Sequence, residues 1–191
     1  MQVPVKECSS NLTIKYFAEL KQFIEYLAKD SHTVILGRAV TVPRTAMTTT
    51  LQNVARDRLT EFPMAEEMQM RMTTGLALTG LIPISLFPRW NFLLCAMNQL
   101  VNHLDKVAIM SNGGYKAQAI IRTSIGSERP LHPQYQHVGD FTESVSAMCT
   151  TIEVIKLNQA ADIFPAYQRA LQKNDGRSSL FVEYGDYYEE K

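Results

Sequence analysis

Residues 58–87 read RLTEFPMAEEMQMRMTTGLALTGLIPISLF. Two adjacent acids, Glu66 and Glu67, follow Pro63 at the mouth of a segment that turns apolar. Acids suit the first turn of a helix, where unpaired N–H groups leave a partial positive charge. Gly80 supplies a helix stop, so MAEEMQMRMTTGLALTG reads as a helix and LIPISLF as a buried strand. Neighbours on a helix lie about 100° apart. One of the two acids can therefore face inward while the other stays in solvent. By residue chemistry alone, both are ordinary helix-start acids.

Working outward, the same alternation continues. LTIKYFAELKQFIEYLA, capped by Ser10 or Asn11, carries Ile14, Phe17, Leu20, Phe23, Ile24 and Leu27 on one helical stripe. HTVILG is a short buried strand ending at Gly37. AVTVPRTAMTTTLQNVARDRLTEFP is irregular, with a short helix near 51–58. Downstream, NFLLCAMNQLVNHLDKVA predicts one helix burying Phe92, Leu93, Ala96, Met97, Leu100 and Leu104. KAQAIIRTSIG predicts a strand leading into the polar loop SERPLHPQYQHVGDF. A short helix at 142–148, the strand TIEVIKL, the helix AADIFPAYQRALQKN and the strand GRSSLFVEYG complete the chain. Short apolar strands alternating with helices predict a single α/β domain, a mainly parallel twisted sheet with helices on both faces. Its bounds are 11–184, between tails at 1–10 and 185–191. Such sheets carry their sites in loops at the carboxyl ends of the strands, here after Gly37, Phe87 and Gly126.

Composition narrows the function classes. Apolar residues make up 46% and charged residues 20%, as in a globular protein. Lys plus Arg equals Asp plus Glu, 19 each, so no basic excess points to nucleic acid. Three scattered cysteines, Cys8, Cys95 and Cys149, fit a reducing, cytoplasmic compartment and no disulfide framework. The N-terminus lacks the apolar core of a signal peptide. Residues 73–97 form the most apolar window, but Pro83, Pro88 and Arg89 interrupt it, and a helix, strand and second helix explain it better than a membrane span.

The 58–87 stretch resembles the pyrimidine-binding domain of thiamine-diphosphate enzymes, in particular the beta subunit of the 2-oxo-acid dehydrogenase decarboxylase component, with transketolase as a relative. It is similar to that family's RVFDTPIAE, its Gly-rich helix and its GLRPV strand. Gly80 lies fourteen residues and Pro83 seventeen after Glu66, as in the family. RWNFLLCAMNQLVNHLDK and MSNGGYKAQAIIRTSIG extend the likeness.

The resemblance implies that thiamine diphosphate sits between this domain and a partner subunit, which holds the diphosphate and Mg²⁺ in an αβ or α2β2 heteromer. It implies that Glu66 hydrogen-bonds the N1′ nitrogen of the aminopyrimidine, which activates the cofactor for carbanion attack on a small carbonyl substrate. Phe92 falls where the family packs an aromatic on the pyrimidine, with Trp90 and Phe87 near it. The reaction would be 2-oxo-acid decarboxylation or transfer of a two-carbon or acyl unit.

The departures are equally specific. Met68 and Arg71 stand where the family has Gly, and Gly37-Arg38-Ala39 replaces G-E-D. Leu86 occupies a position that is often acidic. Tyr135 stands at the family's catalytic histidine, with His137 two residues later and His132 three earlier; either histidine can serve the catalytic role. No G-D-G followed by Asn, the family's metal and diphosphate signature, occurs. A non-catalytic interaction or regulatory subunit that keeps the fold is the alternative.

Overall fold

The computed structural model describes residues 15–42, 45–126, 128 and 132–189. Strands β1 Thr33–Gly37, β2 Leu59–Glu61, β3 Ile82–Leu86, β4 Ile120–Ile125, β5 Glu153–Lys156 and β6 Ser179–Tyr184 form one sheet. The order is β2-β1-β3-β4-β6-β5 and every pairing is parallel. The helices are α1 Tyr16–Leu27, α2 Ala46–Thr49, α3 Glu66–Leu78, α4 Trp90–Leu94, α5 Val107–Met110, α6 Thr142–Met148 and α7 Ala160–Leu171.

The α/β expectation holds, and the reason is visible in the strands. Successive side chains of a strand point to opposite faces. Ile120 and Phe181 enter one core with α1 and α7, while Ile121, Leu180 and Val182 enter the other with α3 and α4. Both faces are covered, so both must be apolar. On the first face, Phe23 of α1 stacks on Tyr167 of α7 at 4.9 Å and meets Phe164 edge-on at 5.2 Å.

Several elements differ from the sequence reading. β2 was hidden in the irregular Thr-rich stretch, because a three-residue edge strand carries almost no periodic signal. Within that stretch the helical residues are Ala46–Thr49, capped by Thr45, and a 3-10 turn at Arg56–Arg58. The helix expected from 91 to 108 is broken: a π-helical turn at Gln99–Leu104 separates α4 from α5. The segment read as a C-terminal tail is a 3-10 helix, Gly185–Glu189, whose Tyr188 is buried against the core. The proposed cap at Ser10 or Asn11, Ile14, Cys8 and the 1–10 tail lie outside the described residues. No helix among the described residues is long and apolar enough to cross a membrane.

The strand order fixes where a ligand can enter. From β1 the chain turns one way, to β2; from β3 it turns the other way, to β4. The loops diverge and leave a crevice at the carboxyl ends of β1 and β3.

Candidate functional site

A cleft of about 390 Å³ opens at that crevice. Its apolar wall is Val42, Pro63, Leu86, Phe87, Pro88 and Phe92, and its polar groups include Arg38, Glu61, Glu66 and Gln69. β1 and β3 pair tightly below it. Gly37 lies opposite Leu86, and a Cβ there would stand 2.9 Å from the Leu86 carbonyl oxygen. Glycine at that position permits the approach.

The turn after β1 is clamped from β2. Ala39 N–H donates to Glu61 Oε1 at 2.5 Å, and Thr41 N–H and Oγ1 donate to Glu61 Oε2 at 3.0 and 2.9 Å. Burial alone would raise the Glu61 pKa; the hydrogen bonds from Thr41, Ala39 and Val40 outweigh it and hold the carboxyl below its ordinary value. Ala39 adopts φ 59°, a left-handed conformation that costs a non-glycine residue about 1–2 kcal/mol.

Glu66 begins α3 and lines the cleft. Glu67 is engaged elsewhere: its Oε1 accepts from Arg71 Nη2 at 2.6 Å and from Gln99 Nε2 at 2.9 Å. Arg71 first, and Gln99 second, keep the Glu67 carboxyl below its usual pKa. Glu66 also borders a shallow open depression beside Glu67, Met68, Arg71 and Cys95.

One turn along α3, Gln69 is 2% exposed and forms part of the cleft floor. Its Nε2 donates to Ser85 Oγ at 2.9 Å and to the Leu86 carbonyl at 3.0 Å. A carbonyl can only accept, so the amide orientation is fixed by chemistry. Oε1 receives no hydrogen bond from any described residue, and Gln69 lines the cleft.

The remaining sequence candidates separate. Phe92 lines the cleft. His137 stands beside it, with ring centroids 6.2 Å apart and Nδ1 3.0 Å from Asn91 Oδ1, but it is not part of the cleft wall. Gly126 allows this placement, since a Cβ there would lie 1.8 Å from the His137 carbonyl oxygen. Trp90 is only 1% exposed and packs edge-on against Phe141 in the core at 6.3 Å, so it does not reach the cleft as expected. Two residues along a helix turn about 200°; with Phe92 on the cleft, Trp90 must face inward. Tyr135 also misses the cleft. The left-handed Gln134, φ 73°, precedes it, and Tyr135 projects outward, 89% exposed, against exposed His132. Sequence reasoning missed Glu61 and Gln69. The signals were present: an acid just before Phe62-Pro63, and an amide on the helix face of Glu66.

Residues 15–188 match the family described as transketolase, pyrimidine binding domain. The chain belongs to this family. Among curated relatives, pyruvate dehydrogenase E1 component subunit beta from Chaetosphaeridium globosum is 34% identical over 92 residues, 48% of this chain and 28% of that protein. The same-named subunit from Rhizobium meliloti is 31% identical over 85 residues, 44% of this chain and 18% of that protein. The matched stretch thus spans roughly a quarter of these relatives. Two solved structures share the fold. One is a split-gene transketolase in an inactive β4 tetramer, with TM-score 0.64, 14% identity and coverage of 89% of this chain and 50% of that one. The other is transketolase from Campylobacter jejuni, with TM-score 0.68, 14% identity and coverage of 88% and 25%. The six-stranded parallel sheet is thus that of a transketolase-type pyrimidine-binding domain.

Proposed function

We propose that this chain is the pyrimidine-binding subunit of a split thiamine-diphosphate enzyme, one that decarboxylates a 2-oxo acid or transfers a two-carbon or acyl unit. The observation that carries the reading is Glu66, the first residue of α3, placed in the switch-point cleft that Phe92 also lines.

The residues present fit the aminopyrimidine half of the cofactor. Phe92, Phe87 and Leu86 offer apolar surface for a flat ring, and Glu66 offers a carboxyl at its edge. The cofactor, when bound, supplies carbanion chemistry. This chain binds and orients the ring, and Glu66 donates a hydrogen bond to a ring nitrogen. His137, oriented by Asn91 beside Phe92, serves as the proton-transfer group of later steps. The diphosphate and Mg²⁺ belong to a partner subunit in an αβ or α2β2 assembly. Exposed Met64, Met68 and Met72, on or next to α3, supply apolar surface for such an interface.

Calorimetric titration with thiamine diphosphate and Mg²⁺ tests the split arrangement. Weak or no binding by the chain alone, becoming tight once the partner is added, is expected. Tight binding by the pure chain would overturn it. A second reading, a non-catalytic subunit that keeps the fold, is favoured by Tyr135 standing exposed at the family's histidine position. That reading expects Glu66→Gln to leave turnover of the assembly unchanged.

A further inference from the structure

Gln69 lines the cleft with half of its amide committed and half open. Nε2 donates to Ser85 Oγ and to the Leu86 carbonyl, both on β3. Those two bonds hold the amide one way round. Turned over, it would set Oε1 against the Leu86 carbonyl, two acceptors face to face. Oε1 itself receives no hydrogen bond from any described residue. Among the described residues, the side-chain polar atoms both sealed from solvent and without a partner are Arg58 Nε, Trp90 Nε1 and Thr123 Oγ1. Gln69 Oε1 is not one of them, so it reaches open space, and the space that Gln69 borders is the cleft. A ligand that displaces water from such an oxygen must bring a donor in its place, or leave a polar atom buried and unpaired.

The ring nitrogens of an aminopyrimidine are acceptors and cannot serve an acceptor oxygen; its exocyclic amino group can. We propose that Gln69 Oε1 accepts a hydrogen bond from that amino group, and that this bond makes the cleft select an amino over an oxo pyrimidine. The inference rests on the reading above that the cleft holds the cofactor ring, and it adds a specificity-determining residue to that reading. Glu66 offers a donor to a ring nitrogen and Gln69 an acceptor to the amino group. The two are opposite in polarity, so a ring must carry an acceptor and a donor to satisfy both. An oxo group would bring lone pairs to Oε1, and the amide cannot turn to meet it without giving up Ser85 and Leu86.

The test titrates the full chain, labelled with ¹⁵N-glutamine, with three pyrimidines. One is the hydroxymethyl aminopyrimidine that forms the free pyrimidine half of the cofactor. The others carry oxo or hydrogen in place of its amino group. NMR reads the affinity and the Gln69 side-chain amide resonance together. The amino compound should saturate and move the Gln69 amide, and the other two should bind at least about tenfold more weakly. In Gln69→Met, which keeps the length and loses the acceptor, that preference should shrink to about threefold or less. Should the variant fail to fold, the wild-type chain decides alone. Equal affinities for the three compounds, or an unmoved Gln69 amide, would overturn the inference, as would a preference that persists in full in Gln69→Met. Those outcomes leave the ring-binding reading standing. No saturable binding of any of the three up to about 10 mM would overturn both.

Discussion

Glu66 and Glu67 are neighbours in the chain and part company in the fold. Glu66 lines the cleft between the ends of β1 and β3, while the Glu67 carboxylate is held by Arg71 and Gln99. The helix turns about 100° between them, enough to give one acid to the cleft and the other to a surface ion pair. The exposed Glu67–Arg71 pair contributes little to stability, as surface pairs one helical turn apart do.

The contact between Gly126 and His137 predicts that Gly126→Ala is disruptive. The added methyl has no room beside the His137 carbonyl, and the 135–137 turn must shift. A loss of about 1–3 kcal/mol is expected, the usual cost of overpacking. Urea unfolding measures it. NMR should show the His137 and Asn91 resonances moving together. Wild-type stability with unmoved resonances would contradict this packing.

The buried pair of Arg122 and Glu183 joins β4 to β6. Arg122 Nε and Nη2 donate to the Glu183 oxygens at 2.6 and 3.0 Å, and the hydroxyls of Tyr167 and Tyr188 donate to the same carboxylate. Burial would lower the Arg122 pKa, but the Glu183 charge outweighs it and holds the guanidinium charged. Breaking such a pair from one side leaves a buried charge uncompensated. Glu183→Gln should cost about 3–5 kcal/mol in urea unfolding, and Tyr188→Phe about 1 kcal/mol. A loss below 1 kcal/mol for Glu183→Gln would count against the pair as described.

Asp105 sets the response to acid. Its buried carboxylate accepts the backbone N–H groups of Thr150, Thr151 and Ile152, and Lys106 Nζ at 2.6 Å. Burial alone would raise its pKa; Lys106 and these N–H groups outweigh it and place it well below the carboxylate range. A pKa depressed by folding gives stability that is complete above the unfolded value, about 3.9, and lost as pH falls below it toward the folded value. Stability should therefore decline from about pH 4 downward. Asp105→Asn should flatten that decline and cost about 1.5–3 kcal/mol at neutral pH. Urea midpoints from acid to neutral pH test both, and an unchanged acid slope in the variant would exclude Asp105 as the source.

The sheet was legible because its strands are apolar and β-branched, and because Gly80 and Pro83 frame the junction of α3 and β3. Three things were hidden. β2 has only three residues, too few for a period to show. The break between α4 and α5 lies inside a run that is helical by every local measure. At its end, Asp105 accepts hydrogen bonds from the backbone of residues 150–152, contacts distant in sequence that no local pattern reveals. Trp90 and Phe92 are both aromatic and equally plausible beside a ring, and only the phase of the helix separates them. At the cleft, the positions of Glu66 and Phe92 were indicated by the family resemblance, and both line it. The place of Gln69 was not, since it depends on the contacts its amide makes with Ser85 and Leu86.

The proposed activation of the cofactor by Glu66 is tested most directly by the exchange rate of the C2 proton of thiamine diphosphate, followed by quenched NMR in the assembly with its partner subunit. Glu66→Gln keeps size and hydrogen-bonding capacity, so fold and assembly should survive while exchange slows by about two orders of magnitude or more. Glu67→Gln should exchange at nearly the wild-type rate. Equal effects from the two substitutions, or no effect from Glu66→Gln, would contradict the account and leave two acids that only begin a helix.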